Sequence, residues 1–487
     1  MEPEIKTVQR KTVNASDLYG RRVNARYDAA STTNENANLW SNADAMSAAA
    51  ANSPRVRKVI RERARYEVGN NSYAAGIVKT LANDVVGPRI QIQIGDSDLQ
   101  QRVESDFLEW AKEISLFAKL RTMRKAKAVD GESFAQLITN PKLENDVKLD
   151  LIPIECDMVE GFYVSKDDEI DGIKFDSYHN PIAYRILKSH PGDYRNITSY
   201  KTAGDWINRK FILHYFTAER AGQVRGVSEL VAPLSLFGQM RAYTAAVIET
   251  ARRAAEISGV ITTSLLPEGE AAVQFDEPIV RMDIARNEVM SMPEGWAFNQ
   301  VKAEQPTNTY KEFKGEIINE AARCLNMPAN VAMGNSSGYN YASGRLDFQT
   351  YDRSIDVDRE ELEDQILSRI YRSWKEEYNA LHNFSRENEK AIKTAKWFYS
   401  SRGHVDPKKE ADADNVRLQN GTLTKSDYWA SQGKDAKRKE LQRINEMVGC
   451  EVMWNDARKA AGLDPAPYPY AGNKSNTISI ESNEESK

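Results

Sequence analysis

Gly226-Val227-Ser228 is the nearest approach to a hydrolase nucleophile in this chain. A nucleophile elbow needs glycines on both sides of the serine, so that a sharp strand-to-helix turn exposes the hydroxyl. Here position 230 is leucine and the closing glycine is missing. Ser228 reads instead as the N-cap of a following helix, its oxygen accepting from an orphan N–H. The five histidines (His179, His190, His214, His382, His404) include no i, i+4 pair that would put two imidazoles on one helix face for a metal. The sequence has no H-E-x-x-H and no C-x-x-C, and it lacks the G-x-x-x-x-G-K-[ST] loop that cradles nucleotide phosphates. Carboxylate pairs abound, but only geometry could single out a catalytic one. No catalytic, cofactor-binding or metal-ligating residue is assigned, no cofactor is expected, and the chain does not read as an enzyme.

The elements that would have to position a site follow from periodicity. The 487 residues leave room for about three domains. Apolar residues make up 41% and charged residues 28%, which is a globular composition. Residues 1–52, rich in Asn, Ala, Ser and Thr, read as an arm too polar to order itself. Pro54 opens a basic helix, and SYAAGIVKTLANDVV is a second one, closed by Gly87-Pro88. RIQIQIG alternates as a strand does, and helices follow near 98–116 and 118–129. SFAQLIT, LDLIPIE and FILHYF read as strands, and GIKFDSYHNPIAYRIL as a hairpin around residues 178–181. The region 85–217 is therefore α+β with antiparallel character.

A long helix is expected from Ser228 to about Glu256, then a β-rich stretch full of turn-formers, then a helix over TNTYKEFKGEIINEAARCLNM. Met333–Ser343 is a polar loop. From Gly344 to about Ala380, Phe348, Tyr351, Ile355, Leu362, Ile366, Ile370 and Trp374 recur at spacings of three, four or seven, which makes one apolar helix face. The C-terminal third reads as charged helices, with a disordered acidic end from about Gly472. Three cysteines (Cys156, Cys324, Cys450) at wide spacing exclude a disulfide framework and suit a reducing compartment. No run of about 18 apolar residues would cross a membrane.

Four segments carry a resemblance: Asp130-Gly131-Glu132-Ser133-Phe134; Asn180 to Ile186 followed by His190-Pro191-Gly192-Asp193; Arg220 to Ser228; and Val405 to Glu410 with Asn420-Gly421-Thr422-Leu423 and Gly433-Lys434-Asp435. In this order and spacing the chain resembles the phage portal proteins of the lambda-like family. Its family-motif residues include Arg220, Gly222, Gln223, Arg225, Gly226, Asp406 and Pro407. One departure is His404, where the family usually has tryptophan before Val-Asp-Pro.

The resemblance implies a portal fold with a mixed α/β wing, an α-helical stem, a small α/β clip, a long tunnel-associated helix and an α-helical crown. By order it divides the chain into a flexible arm (1–52), wing (53–227), stem helix (228–257) and clip (258–304). A second stem helix (305–329), tunnel loop (330–345), long helix and wing (346–402), crown (403–450) and C-terminal extension (451–487) follow. It implies a ring of about twelve copies at one procapsid vertex of the virion, assembled in the bacterial cytoplasm. Double-stranded DNA would pass through its channel without sequence-specific contact. The implied partners are the terminase large subunit, head-completion or tail connector proteins, and the major capsid and scaffold proteins, with no membrane. Asn335, Ser336, Ser337, Gly338, Tyr339, Asn340 and Tyr341 would form the loop that faces DNA. The alternatives are a capsid or tail component and a phage hydrolase.

The charge fits such a conduit. Residues 346–364 hold eight acids, including Asp347, Asp352, Asp356 and Asp358, against two arginines. That segment carries −6 of a chain total of −5, so the remainder is nearly neutral. The acids read either as a solvated helix face or as a charge near the channel that repels phosphate and keeps DNA sliding.

Overall fold

The computed structural model describes residues 38–39, 41–95, 97–160, 168–193, 203–256, 260–263, 296–299, 309–338, 340–399, 407–432, 434 and 436–469. The expectations for residues 1–37, for most of 258–304, for Tyr339 and Asp406, and for the chain from 470 onward lie outside the described residues. Two units separate, Met1–Ser53 and Pro54–Lys487. In the first, α1 (Ala48–Ala51) is a single turn capped by Ser47.

The second unit starts with α2 (Pro54–Asn70), α3 (Ser72–Val86) and the short strand β1 (Gln91–Gln93). Next come α4 (Asp98–Glu113) and α5 (Leu116–Asp130). Local chemistry sets their ends. Asn71 caps α3 by accepting from the Tyr73 and Ala74 N–H groups, and Ser97 and Gln100 form a capping box at α4. Gly131, at φ +89°, ends α5 in the left-handed region that glycine favours.

The strands form small antiparallel sheets. β2 (Glu132–Thr139) lies between β3 (Leu149–Ile154) and β8 (Ile212–Phe216). β4 (Glu169–Ile170), β5 (Ile173–Phe175), β6 (Pro181–Leu187) and β7 (Gly204–Asn208) make a four-stranded meander. The hairpin expected at 178–181 is its β5–β6 turn, where Asp176 accepts from the N–H groups of Tyr178 and Asn180.

Long helices follow: α6 (Leu234–Glu256), the strand pair β9 (Val260–Thr263) and β10 (Trp296–Asn299), then α7 (Thr309–Arg323). α8 (Ala329–Met333) and α9 (Tyr341–Leu362) flank a loop. A π-helical turn, Glu363–Leu367, joins α9 to α10 (Ser368–His382). After α11 (Arg386–Ala391), β11 (Lys396–Phe398) pairs with β1, a partner the sequence pattern did not reveal. The C-terminal helices are α12 (Pro407–Gln419), α13 (Lys425–Ser431) and α14 (Ala436–Ala460).

The apolar face read on the long helix is the core. Tyr351, Ile355, Leu362, Ile366, Ile370 and Trp374 are buried, and Phe348 is half-buried against them. Around Phe107 the rings of Trp110, Tyr371, Trp374 and Trp397 pack at centroid distances of 5.2 to 5.8 Å, which locks α4, α10 and β11 together. The basic residues of α2 form a ladder at i, i+4 and i+8. Arg57 reaches Asp171 at 3.1 Å, Arg61 reaches Asp157 at 3.6 Å, and Arg65 reaches Asp130 and Asp157, both at 2.7 Å. One helix face thus binds three separate segments of the chain.

Two readings need correction. Ser228 is not a helix cap: α6 starts six residues later, because Pro233 lacks an N–H and its carbonyl accepts the first helical bond from Phe237. The buried Ser228 hydroxyl instead donates to the Ala128 carbonyl at 3.1 Å. The loop expected over 333–343 ends sooner, since α9 already begins at Tyr341.

Candidate functional site

Two of the motif segments that carried the resemblance, 130–134 and 220–228, meet in space. Gly131 and Gly226 pack backbone to backbone: a Cβ on Gly226 would collide with the Gly131 carbonyl, and one on Gly131 with the Val227 backbone. The Ser228 hydroxyl and the Glu229 N–H both donate to Ala128, closing the end of α5. Upstream, the Gln223 side chain shapes the turn. Its oxygen accepts from the N–H groups of Glu219 and Arg220, and its amide donates to the Arg225 carbonyl at 2.9 Å. Gly222 sits in this turn at φ +80°, and Arg220 and Gly222 are exposed.

At the centre Glu132 is fully buried. Its carboxylate accepts from Arg225 Nε and Nη2 at 2.7 to 2.9 Å, from the Gly226 N–H at 3.1 Å and from His214 Nε2 at 3.1 Å. Arg225 Nη1 donates to the carbonyls of Val159 and Asp171, so one guanidinium ties β2 to the meander. His214 stacks between Phe134 and Phe216 at 4.2 and 4.3 Å. Burial alone would raise the Glu132 carboxyl, but Arg225 and the His214 hydrogen bond outweigh it and hold it well below the ordinary carboxylate range. Burial pushes His214 below the ordinary imidazole value, with the Glu132 bond opposing, so the ring is neutral and its Nε2–H donates. The contact is a hydrogen bond rather than an ion pair. Burial raises the Cys156 thiol well above its ordinary range, and it donates to the Glu132 carbonyl at 2.8 Å. Among the described residues the named polar groups of this cluster bond to one another and to nearby backbone, so the cluster holds structure.

A second network lies on the same helix. Arg124 and Lys127, both buried on α5, face acids from two distant segments. Arg124 donates to Glu229 at 3.0 Å and to Asp358 at 2.6 Å. Lys127 donates to Asp358 at 3.0 Å and to Glu361 at 2.9 Å, and lies 4.6 Å from the centre of the Tyr215 ring. Burial would raise Asp358, but Arg124 and Lys127 hold it below the ordinary range. Asp358 is therefore not an acid of the open helix face: the α9 turn that buries Ile355 and Leu362 also directs it onto two cations.

The remaining predicted positions are placed plainly. Asn335, Ser336, Ser337 and Gly338 are exposed in the loop between α8 and α9, with the Asn335 side chain accepting from the Ser337 N–H at 2.9 Å. Asn340 is exposed, Tyr341 is the first residue of α9, and Tyr339 lies outside the described residues. Asp347, Asp352 and Asp356 are exposed, and Pro407 opens α12. One grouping escaped the sequence: His190 lies 3.1 Å from Glu155 and 3.8 Å from Asp157. Residues about 35 apart in different turns leave no periodic trace. Arg65, 2.7 Å from Asp157, and Arg61 already supply positive charge there. Glu132 and Arg225 stood inside the quoted motifs, but no pattern announced their pairing.

Both networks spend their buried ionisable groups on joining elements of the chain itself, and the class of protein follows from its likeness to known chains. The comparisons then specify it. A sequence model of phage portal proteins of the lambda family matches residues 34–359, about two thirds of the chain. The probable portal protein of Halomonas phage phiHAP-1 is 21% identical over 413 residues, covering 78% of each chain. A chain in the neck of a native gene transfer agent particle computed with C12 symmetry is similar at TM-score 0.44 and 12% identity, covering 76% of this chain and 91% of that one. One from the neck of an empty particle gives 0.45 and 14%, covering 75% and 91%. The chain belongs to the lambda family of phage portal proteins. Its role is that of a structural virion component and not an enzyme, which sets aside the hydrolase reading. The match ends at 359, before the Val405–Glu410 motif.

Proposed function

We propose that about twelve copies close into a ring at one capsid vertex, through which genome DNA enters during packaging and leaves during ejection. The observation that carries this reading, beside the family, is α6. Of its residues 234–253, whose burial is described, only Phe237 and Met240, in the first two turns, are buried, and nothing from Arg241 to Arg253 is. A helix this long that leaves its own body uncovered needs neighbours. α7 runs beside it, with Tyr243 stacked on Tyr310 at 5.8 Å and edge-on to Phe313 at 5.2 Å. In this reading these two helices are the stem, 258–304 between them is the clip, 53–227 is the wing, and 403–450 the crown.

In this reading the loop around 334–340 faces DNA. Small polar residues touch a phosphate backbone without gripping it, and the exposed Asp347, Asp352 and Asp356 repel it. The clip docks terminase and, later, the connector proteins. Assembly in the bacterial cytoplasm with capsid and scaffold proteins completes the scheme. Negative-stain images of the purified 55.0 kDa chain are expected to show closed rings. A protein that stays monomeric at every concentration would overturn the reading. Asn335→Lys with Asn340→Lys is expected to leave rings intact and cut packaged DNA at least tenfold, and an unchanged yield would remove the loop assignment.

A further inference from the structure

α9 has two unlike halves. From Arg345 to Thr350 it is almost bare, with Leu346 66% exposed. From Tyr351 onward it is held at successive turns. Tyr351 donates to Asp84 at 3.0 Å, and Arg359 donates to the carbonyls of Asp84 and Val85 at the end of α3 at 2.9 and 3.2 Å. Asp358 and Glu361 enter the Arg124–Lys127 pair, and Glu361 also accepts from the Thr217 hydroxyl at 2.6 Å. In the π turn, Gln365 accepts from the Phe216 N–H at 3.2 Å. The same two cations hold Glu229, five residues before α6.

We propose that Arg124 and Lys127 act as a fulcrum that couples α9, and the 334–340 loop at its tip, to the root of α6. The bare half of α9 is the lever. The clamp fixes its angle, and the anchors on Glu229 pass a displacement of the loop to the α6 root instead of letting it dissipate. The π turn, one residue out of step with the α-helical ladder, is the joint against which the lever bends. This mechanical role rests on the tunnel-loop reading only for its biological use; the coupling itself is a property of the single chain.

The test is a distance distribution between spin labels at Ser337→Cys and Ile248→Cys in the full-length protein, with Cys324→Ser and Cys450→Ser as background. In preparations diluted with excess unlabelled protein, so that only distances within one chain are read, the parent is expected to give one narrow distribution. Asp358→Asn, and the milder Glu361→Gln should the first fail to fold, are expected to broaden it at least twofold. Ile173→Val, in the four-stranded sheet, serves as a control and is expected to leave the width unchanged. An unchanged width in the clamp variants, or equal broadening in Ile173→Val, would overturn the proposal. Broadening without any packaging defect supports the coupling and counts instead against the tunnel-loop reading.

Discussion

Arg225 and Arg124 are equally buried, each 2% exposed, yet they are answered in different ways. Arg225 meets one carboxylate, the fully buried Glu132, and two backbone carbonyls. Arg124 shares with Lys127 three carboxylates, all of them partly wet. The first arrangement is a sealed lock between neighbouring strands and a turn. The second is a junction where three parts of the chain meet and where water still reaches the acids. Burying a charge is costly in both, but in the lock a single guanidinium answers the carboxylate, and its loss leaves Glu132 only the neutral donors of His214 and the Gly226 N–H. The junction spreads its charges over several pairs and gives way in stages.

Breaking the lock is expected to have the largest effect. Arg225→Met strands the Glu132 carboxylate in the interior and is expected to cost about 3–5 kcal/mol, read by denaturant unfolding. A loss below about 1 kcal/mol would erase the distinction between the two networks. Lys127→Met leaves Arg124 to neutralise Asp358, and the exposed edge of Glu361 can hydrate. Its expected cost is about 1–2 kcal/mol, discounted for that solvent access.

Acid should separate the networks further. His214 and Glu132 both have folded values below their ordinary ones of 6.5 and 4.5, so the unfolded chain binds more protons in each interval. Stability is full above those values and is lost as pH falls, first through His214 below about 6.5 and then through Glu132 below about 4.5. Melting temperature is expected to decline in these two steps, and His214→Phe to remove the upper one while keeping the lower. The smallest effect belongs to a pair outside both networks. Lys210 and Glu376 are 59% and 49% exposed, and Lys210→Ala should change unfolding by less than about 0.5 kcal/mol.

Much of the framework was legible because it rests on local rules. The face from Tyr351 to Trp374, the strands between residues 132 and 216 and the helix ends at Gly87 and Gly131 follow from spacing and backbone preference. The start of α6 was misread because a serine before an apolar run satisfies the capping rule, while Pro233 decides the matter five residues on. Asp358 was misread for a different reason. Along α9 one aspartate resembles the next, and what distinguishes it is a pair of cations more than 200 positions away. The polar loop expected over 333–343 was legible from composition, and the exposure of Asn335, Ser336, Ser337 and Gly338 agrees with its polarity.

The span of the junction has a consequence for how the protein is made. Arg124 and Asp358 are separated by 234 residues, so the clamp cannot close until about three quarters of the chain has been synthesised. Until then only Glu229 of the three acids is available to Arg124 and Lys127, which keeps this face of α5 hydrated and delays its final packing. Translation itself therefore sets the order of events. The sheets and their sealed lock can settle early on the ribosome, and the joint to the long helix sets only as the last third emerges, so chains truncated before residue 358 should remain loose at this surface.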